Sequence, residues 1–240
     1  MAEIEFLLLD QAAGQISSGK APGRHRMKAR LPVCQEENWH GFSLRLHRVN
    51  AAWTESPRRI QDYVEKQKEN GVQLWTDRGL DPFLKEHRQP LPSPQLACFL
   101  LKNQPFRQQM LFYRGQLPWE YGRFWQEKFL ENCYQDLNGL YLLGDGDVDN
   151  GFLEQIYGDS GLPAVCADRL PEAEGRKCVF VDLAGADFGE LRGLPEGCLY
   201  LDLRSDKEKQ RYFALKRTDI SYTSARNYLD IAMKARYNAV

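Results

Sequence analysis

The chain has 240 residues, 42% of them hydrophobic, five tryptophans and a formal net charge of −1. That composition excludes a disordered or low-complexity chain and suits one large or two small globular domains. No apolar run approaches the ~20 residues needed to span a bilayer, so no membrane-spanning helix is expected.

The opening MAEIEFLLLD carries Glu3 and Glu5 and no basic segment, so it reads as a buried first strand rather than a signal peptide. GQISSGKA, residues 14–21, nearly spells a P-loop, with Gly14, Gly19 and Lys20 correctly spaced. A P-loop needs Ser or Thr next, to hold Mg²⁺, and then a helix. Ala21 replaces that hydroxyl and Pro22-Gly23 discourages the helix, which leaves a basic loop. KARLPV and FSLRLHRV read as two strands, the second with Phe42, Leu44 and Leu46 on one face. Ser56-Pro57 opens a helix with a stripe of Ile60, Tyr63 and Val64, and Asn70-Gly71 stops it. VQLWT follows as a short strand. HRQPLPSPQ, with Pro90, Pro92 and Pro94, is the likeliest boundary by composition. Residues 1–89 are therefore expected to form a smaller mixed α+β region, 90–95 a proline-rich linker and 96–240 a second domain.

In the second half ACFLL and MLFYR look like strands, and Pro118 opens a long helix that runs to Asn138-Gly139. LYLLGD is a strand, NGFLEQIYG a short helix and LPAVCAD a strand. CVFVDLAG, a short helix or turn at Phe188–Arg192, and CLYLDLRS follow. Ser205 and Glu208 make an S-x-x-E capping box for the next helix. A last helix starts near Ser224, with Ala225, Tyr228, Leu229 and Ala232 on its apolar stripe. Alternation of this kind predicts a doubly wound, mostly parallel, Rossmann-like α/β domain. Right-handed crossovers would gather Asp145, Asp168, Asp182 and Asp202 at the carboxyl edge of its sheet. Such an edge can hold a ligand or metal. Aspartate is also common after strands as a turn former and helix cap, and that plainer reading is preferred.

DGDVDNG, residues 145–151, invites a metal reading. An EF-hand loop needs glycine at its sixth position and glutamate at its twelfth, where this chain has Asn150 and Ile156. The strand ending in alternate aspartates locally resembles the Toprim metal motif of topoisomerases and primases, over about ten of the 240 residues. The resemblance implies Asp145, Asp147 and Asp149 as Mg²⁺ ligands for phosphodiester chemistry. The family's separate glutamate has no match near ACFLL or MLFYR, so the acid or base of that chemistry is missing. A haloacid dehalogenase phosphatase would place its aspartate pair near the chain start, whereas Asp145 lies past the middle.

The final 37 residues hold nine basic and four acidic side chains. Arg204, Lys207, Lys209 and Arg211 are the candidate anion-binding set, and Tyr212, Phe213 and Tyr222 are candidates to stack on bases. The plainer reading puts Phe213 and Leu215 against the sheet and the charges in solvent. Six scattered cysteines without a C-x-x-C pair point to a reducing, cytoplasmic compartment. The four histidines all precede residue 90, and the sequence identifies none as partner to a catalytic cysteine. No catalytic set is complete. The expected function is a non-catalytic binding or interaction module with a protein partner, such as a subunit of a bacterial-type assembly. The alternatives are a divalent-metal phosphate-ester enzyme using Asp145, Asp147 and Asp149 with Mg²⁺, and a nucleic-acid-associated protein using the basic C-terminal helices.

Overall fold

The computed structural model describes residues 3–10, 32–84, 87–105, 109–113, 119–144, 150–167, 169–172, 175–183 and 185–237. The chain divides into two compact units, Met1–Pro90 with Tyr228–Val240, and Leu91–Asn227. Residues 14–21, and residues 28–31 of KARLPV, lie outside the described residues. No helix among the described residues is long and apolar enough to cross a membrane.

In the first unit β1 (Ile4–Asp10), β2 (Val33–Trp39), β3 (Phe42–Asn50) and β4 (Leu74–Thr76) form a mixed sheet in the order β2-β3-β1-β4. β1 runs parallel to both neighbours and is covered on both faces, which is why its apolar run is nearly continuous. Ile4, Phe6, Leu7 and Leu8 are all buried. β2 and β3 make an antiparallel hairpin whose turn holds His40 and Gly41 at φ 50° and 91°, the two left-handed positions of a type I′ turn. Helix α1 (Pro57–Glu69) begins at proline and buries Ile60 and Val64 against Leu7, Val49 and Trp53. Ser56 sits at its N-cap but makes no side-chain cap bond. The closing helix α7 (Ala225–Tyr237) adds Lys234, which lies 2.8 Å from Asp77 and 3.0 Å from Asp230. Asp77 in turn accepts from the Leu9 and Gly79 amides at 3.2 and 2.6 Å.

The second unit contains α2 (Pro94–Lys102), β5 (Gln109–Tyr113), α3 (Trp119–Glu131), β6 (Gly139–Leu143), α4 (Asn150–Ser160) and β7 (Ala164–Ala167). It continues with β8 (Cys178–Asp182), α5 (Phe188–Arg192), β9 (Leu199–Asp202), α6 (Lys207–Lys216) and β10 (Ser221–Ser224). All six strands are parallel, in the order β10-β9-β8-β5-β6-β7. With β5 counted first, this is the doubly wound Rossmann order. Alternate residues of each strand feed two apolar clusters. Phe112, Val181 and Leu201 pack with Trp125 and Phe129 in one, and Leu111, Phe180 and Tyr200 pack with Phe213 in the other.

Three local expectations are corrected, and one strand had not been expected. ACFLL is not a strand but the body of α2, because Ser93 accepts the Leu96 amide at 3.2 Å and Pro94 stands at the first turn. A short apolar run looks the same in a buried helix and a buried strand. The helix after Pro118 ends at Glu131, and a separate 3₁₀ turn covers Tyr134–Asp136. The cap of α6 is Asp206, which accepts the Glu208 and Lys209 amides at 2.7 and 3.4 Å; Ser205 has φ 58° and is not the cap. The short strand β10 before α7 had no separate sequence signal.

Candidate functional site

The carboxyl edge of the six-stranded sheet carries the densest buried polar cluster among the described residues of the second unit. β8 ends in Asp182 and β9 in Asp202, and the register places the two side by side. Both are 0% exposed, and Lys209 of α6 is 5% exposed. Asp182 Oδ1 accepts the backbone amides of Gly185 at 2.6 Å and Ala186 at 3.0 Å. Its Oδ2 accepts the Tyr200 hydroxyl and the Lys209 ammonium. Gly185 has φ 92°, a left-handed conformation that lets the loop fold back onto the carboxylate. Asp202 does the same for its own loop. Its Oδ1 accepts the Arg204 and Ser205 amides, each at 2.9 Å, and its Oδ2 accepts the Asp206 amide at 2.7 Å and the Tyr222 hydroxyl at 2.8 Å.

A carboxylate offers about four lone-pair sites. Each aspartate here meets four donors from its own loop and its neighbours. Inner-sphere metal binding at either would therefore require breaking bonds that hold the loops. The two carboxylates stand side by side, with Lys209 bonded to Asp182, so their mutual repulsion acts in a desolvated place. Its consequence falls on Asp202, pushed up to about 6 by burial first and by Asp182 second, against the Tyr222 and Asp206 hydrogen bonds and Lys209. Burial, with the adjacent carboxylates, also raises the Tyr200 and Tyr222 hydroxyls well above their ordinary value, which keeps them neutral donors.

The candidate metal ligands Asp145, Asp147 and Asp149, and Asp168 of the acidic edge, lie outside the described residues. Among the described residues no three His, Cys, Asp or Glu side chains are grouped so as to hold a metal ion. The candidate anion set does not converge. Lys209 turns inward to Asp182, while Lys207 and Arg211 are exposed and Arg204 donates through Nε to the Leu183 carbonyl at 2.9 Å. The candidate stacking rings face one another. Tyr222 stacks on Tyr200 and Phe213, with centroids 5.8 and 5.6 Å apart, and Phe213 is buried. Leu215, two residues on, is 67% exposed, so α6 buries Phe213 and leaves Leu215 outside.

Sequence reasoning missed Tyr200 and the role of Lys209. The signal for Lys209 was present: it stands four residues before Phe213 and so shares the buried face of α6. Nothing in the sequence marked Tyr200 beyond its place two residues before Asp202 on β9.

Strand order reverses between β5 and β8, where open α/β sheets bind ligands. The segment following β5 reads RGQLPWEYG and lacks the G-x-G-x-x-G fingerprint of dinucleotide sites. A cavity of about 300 Å³ lies towards the opposite end of the sheet, lined by Lys102, Cys133, Asp136 and Val179.

No family model matches the chain, and no curated protein matches it. Among solved structures, the chain is similar to L-tryptophan dehydrogenase from Nostoc punctiforme, with 12% identity and a TM-score of 0.37. The match covers 82% of this chain and 62% of that one. It carries no argument about chemistry.

Proposed function

We propose that the second unit of this cytoplasmic protein is a non-catalytic binding or interaction module that meets a protein partner. The observation that carries this reading is the internal use of Asp182 and Asp202, each spent on its own loop and on Lys209, Tyr200 or Tyr222. A hydrolytic or metal site at this edge would need carboxylate oxygens open to substrate. All six cysteines are free thiols, which supports a reducing compartment.

The surface that best fits a partner is the β7 edge. Its four residues AVCA carry no charge, and Val165 is 47% and Cys166 likewise exposed. Tyr157 of the adjacent α4 is 63% exposed. Natural edge strands are usually guarded by charge, proline or bulges; here Pro163 precedes the strand and Asp168-Arg169 follow it, while the strand residues themselves carry no charge. The partner we name is a second copy of the chain, since an uncharged edge is self-complementary and two-fold dimers are the commonest assembly. Sedimentation of the purified protein should show a concentration-dependent dimer, and Val165→Lys should weaken it at least about tenfold by burying a charge at the junction. A protein that stays monomeric at its highest soluble concentration would remove this partner.

A further inference from the structure

Three side chains line up across one face of the four-stranded sheet. Cys34 of β2 and His47 of β3 are cross-strand partners, and Glu5 lies on the same face of β1, two residues before the Leu7 that pairs with His47. Cys34 Sγ stands 3.5 Å from His47 Nδ1, and His47 Nε2 stands 3.1 Å from Glu5 Oε2. Glu5 and His47 are 4% and 3% exposed, whereas Cys34 is open to solvent. The groups facing His47 are completed by the Tyr63 hydroxyl of α1, 2.7 Å from Nδ1, and by Arg45, which reaches Glu5 at 3.3 Å and Glu36 at 2.5 Å.

Glu5 can only accept, so it fixes the proton of the neutral ring on Nε2 and leaves the single Nδ1 lone pair, which accepts the nearer Tyr63 hydroxyl at rest and exchanges it for the Cys34 thiol in the step. Burial lowers the basicity of His47 more than Glu5 restores it, which keeps the ring neutral. An accessible thiol, a ring nitrogen beside it and a buried carboxylate behind the ring are the parts of an activated nucleophile. Cys34 is the single cysteine of its unit, the other five lying between residues 98 and 198. A disulfide with a resolving thiol of the same unit is therefore unavailable. Acyl transfer needs neither a second thiol nor an oxidant.

We propose that Cys34 is a nucleophile that accepts an acyl group from an activated ester or thioester, with His47 as its base and Glu5 as the positioning residue. His47 Nδ1 takes the thiol proton as Sγ bonds to the carbonyl carbon. The carbon–oxygen or carbon–sulfur bond of the donor then breaks, and the leaving group takes that proton from the ring. The products are the Cys34 thioester and the free alcohol or thiol. This site lies in the first unit and is separate from the β7 edge, so either reading can fail without the other.

The test uses the full chain with p-nitrophenyl acetate, following acetylation of each cysteine by peptide mass spectrometry. Cys166 is an internal control, being exposed but in a unit that contains none of the four histidines. Cys34 should be acetylated at least about tenfold faster than Cys166 near neutral pH, in keeping with general-base assistance. In Glu5→Gln the pH profile of Cys34 should move up towards that of Cys166, because the imidazolium formed in the step loses its carboxylate. His47→Gln should bring Cys34 to the Cys166 rate. Equal rates for the two thiols in the unaltered protein would overturn the proposal, and that comparison needs no variant to fold. An unmoved profile in a folded Glu5→Gln protein would overturn the role given to Glu5.

Discussion

Lys209→Met should destabilise the second unit by about 3–5 kcal/mol, the range found when one partner of a buried ion pair is removed. The size follows from what remains. Asp182 and Asp202 are both 0% exposed, and Lys209 is the cation that contacts Asp182 and lowers the proton affinity of Asp202. Without it, Asp182 loses its cation and lies buried beside a second carboxylate, Asp202. Asp182→Asn added to Lys209→Met should recover most of the loss. Asparagine keeps an acceptor for the Gly185 amide while removing the charge that had lost its partner. Leucine at 182 should not rescue, because the Gly185 and Ala186 amides and the Tyr200 hydroxyl would all be left unpaired. Urea unfolding of the three variants measures this directly. A loss under about 1 kcal/mol for Lys209→Met would mean that the carboxylates are solvated or protonated without cost.

The second large effect is on pH. Asp202 in the folded protein is pushed up to about 6, above the ordinary aspartate value of about 3.9. The folded state therefore holds this proton more tightly than the unfolded chain. The stability so gained is fully present below about pH 4 and is lost as pH rises through about 6. The gap of about two units corresponds to a loss on the order of 3 kcal/mol from this group. Asp202→Asn titrates nowhere in that range, so the fall in unfolding free energy from about pH 5 to about pH 7.5 should be visibly smaller in the variant than in the parent. Equal falls would mean that Asp202 ionises as an ordinary surface carboxylate does.

The sequence and the structure agree best where burial on both faces forces a long apolar run. β1, β5, β6, β8 and β9 were each legible as such runs, and their alternation with helices was enough to predict the doubly wound sheet. ACFLL failed because a short apolar run reads the same in a buried helix and a buried strand, and the deciding feature was Ser93-Pro94 just before it. At the carboxyl edge, the aspartates could be read from the sequence but their partners could not. Asp182 finds Lys209 and Tyr200 across 27 and 18 residues, pairings that only the assembled sheet creates. Cys34 and His47 illustrate the same limit: 13 residues separate them, and they meet only because the His40-Gly41 turn fixes the register of the β2–β3 hairpin.

A carboxylate committed to its own loop contributes to stability and is not available to metal or substrate, and the proposed function rests on that distinction. Melting temperature followed through millimolar Mg²⁺ and Mn²⁺ tests it most directly, for the parent chain and for Asp202→Asn. Metal bound to the folded state alone would raise the transition by mass action. The account predicts one unchanged melting temperature for each protein across the titration. A rise in the parent that disappears in Asp202→Asn would contradict it and would make the acidic edge a metal site.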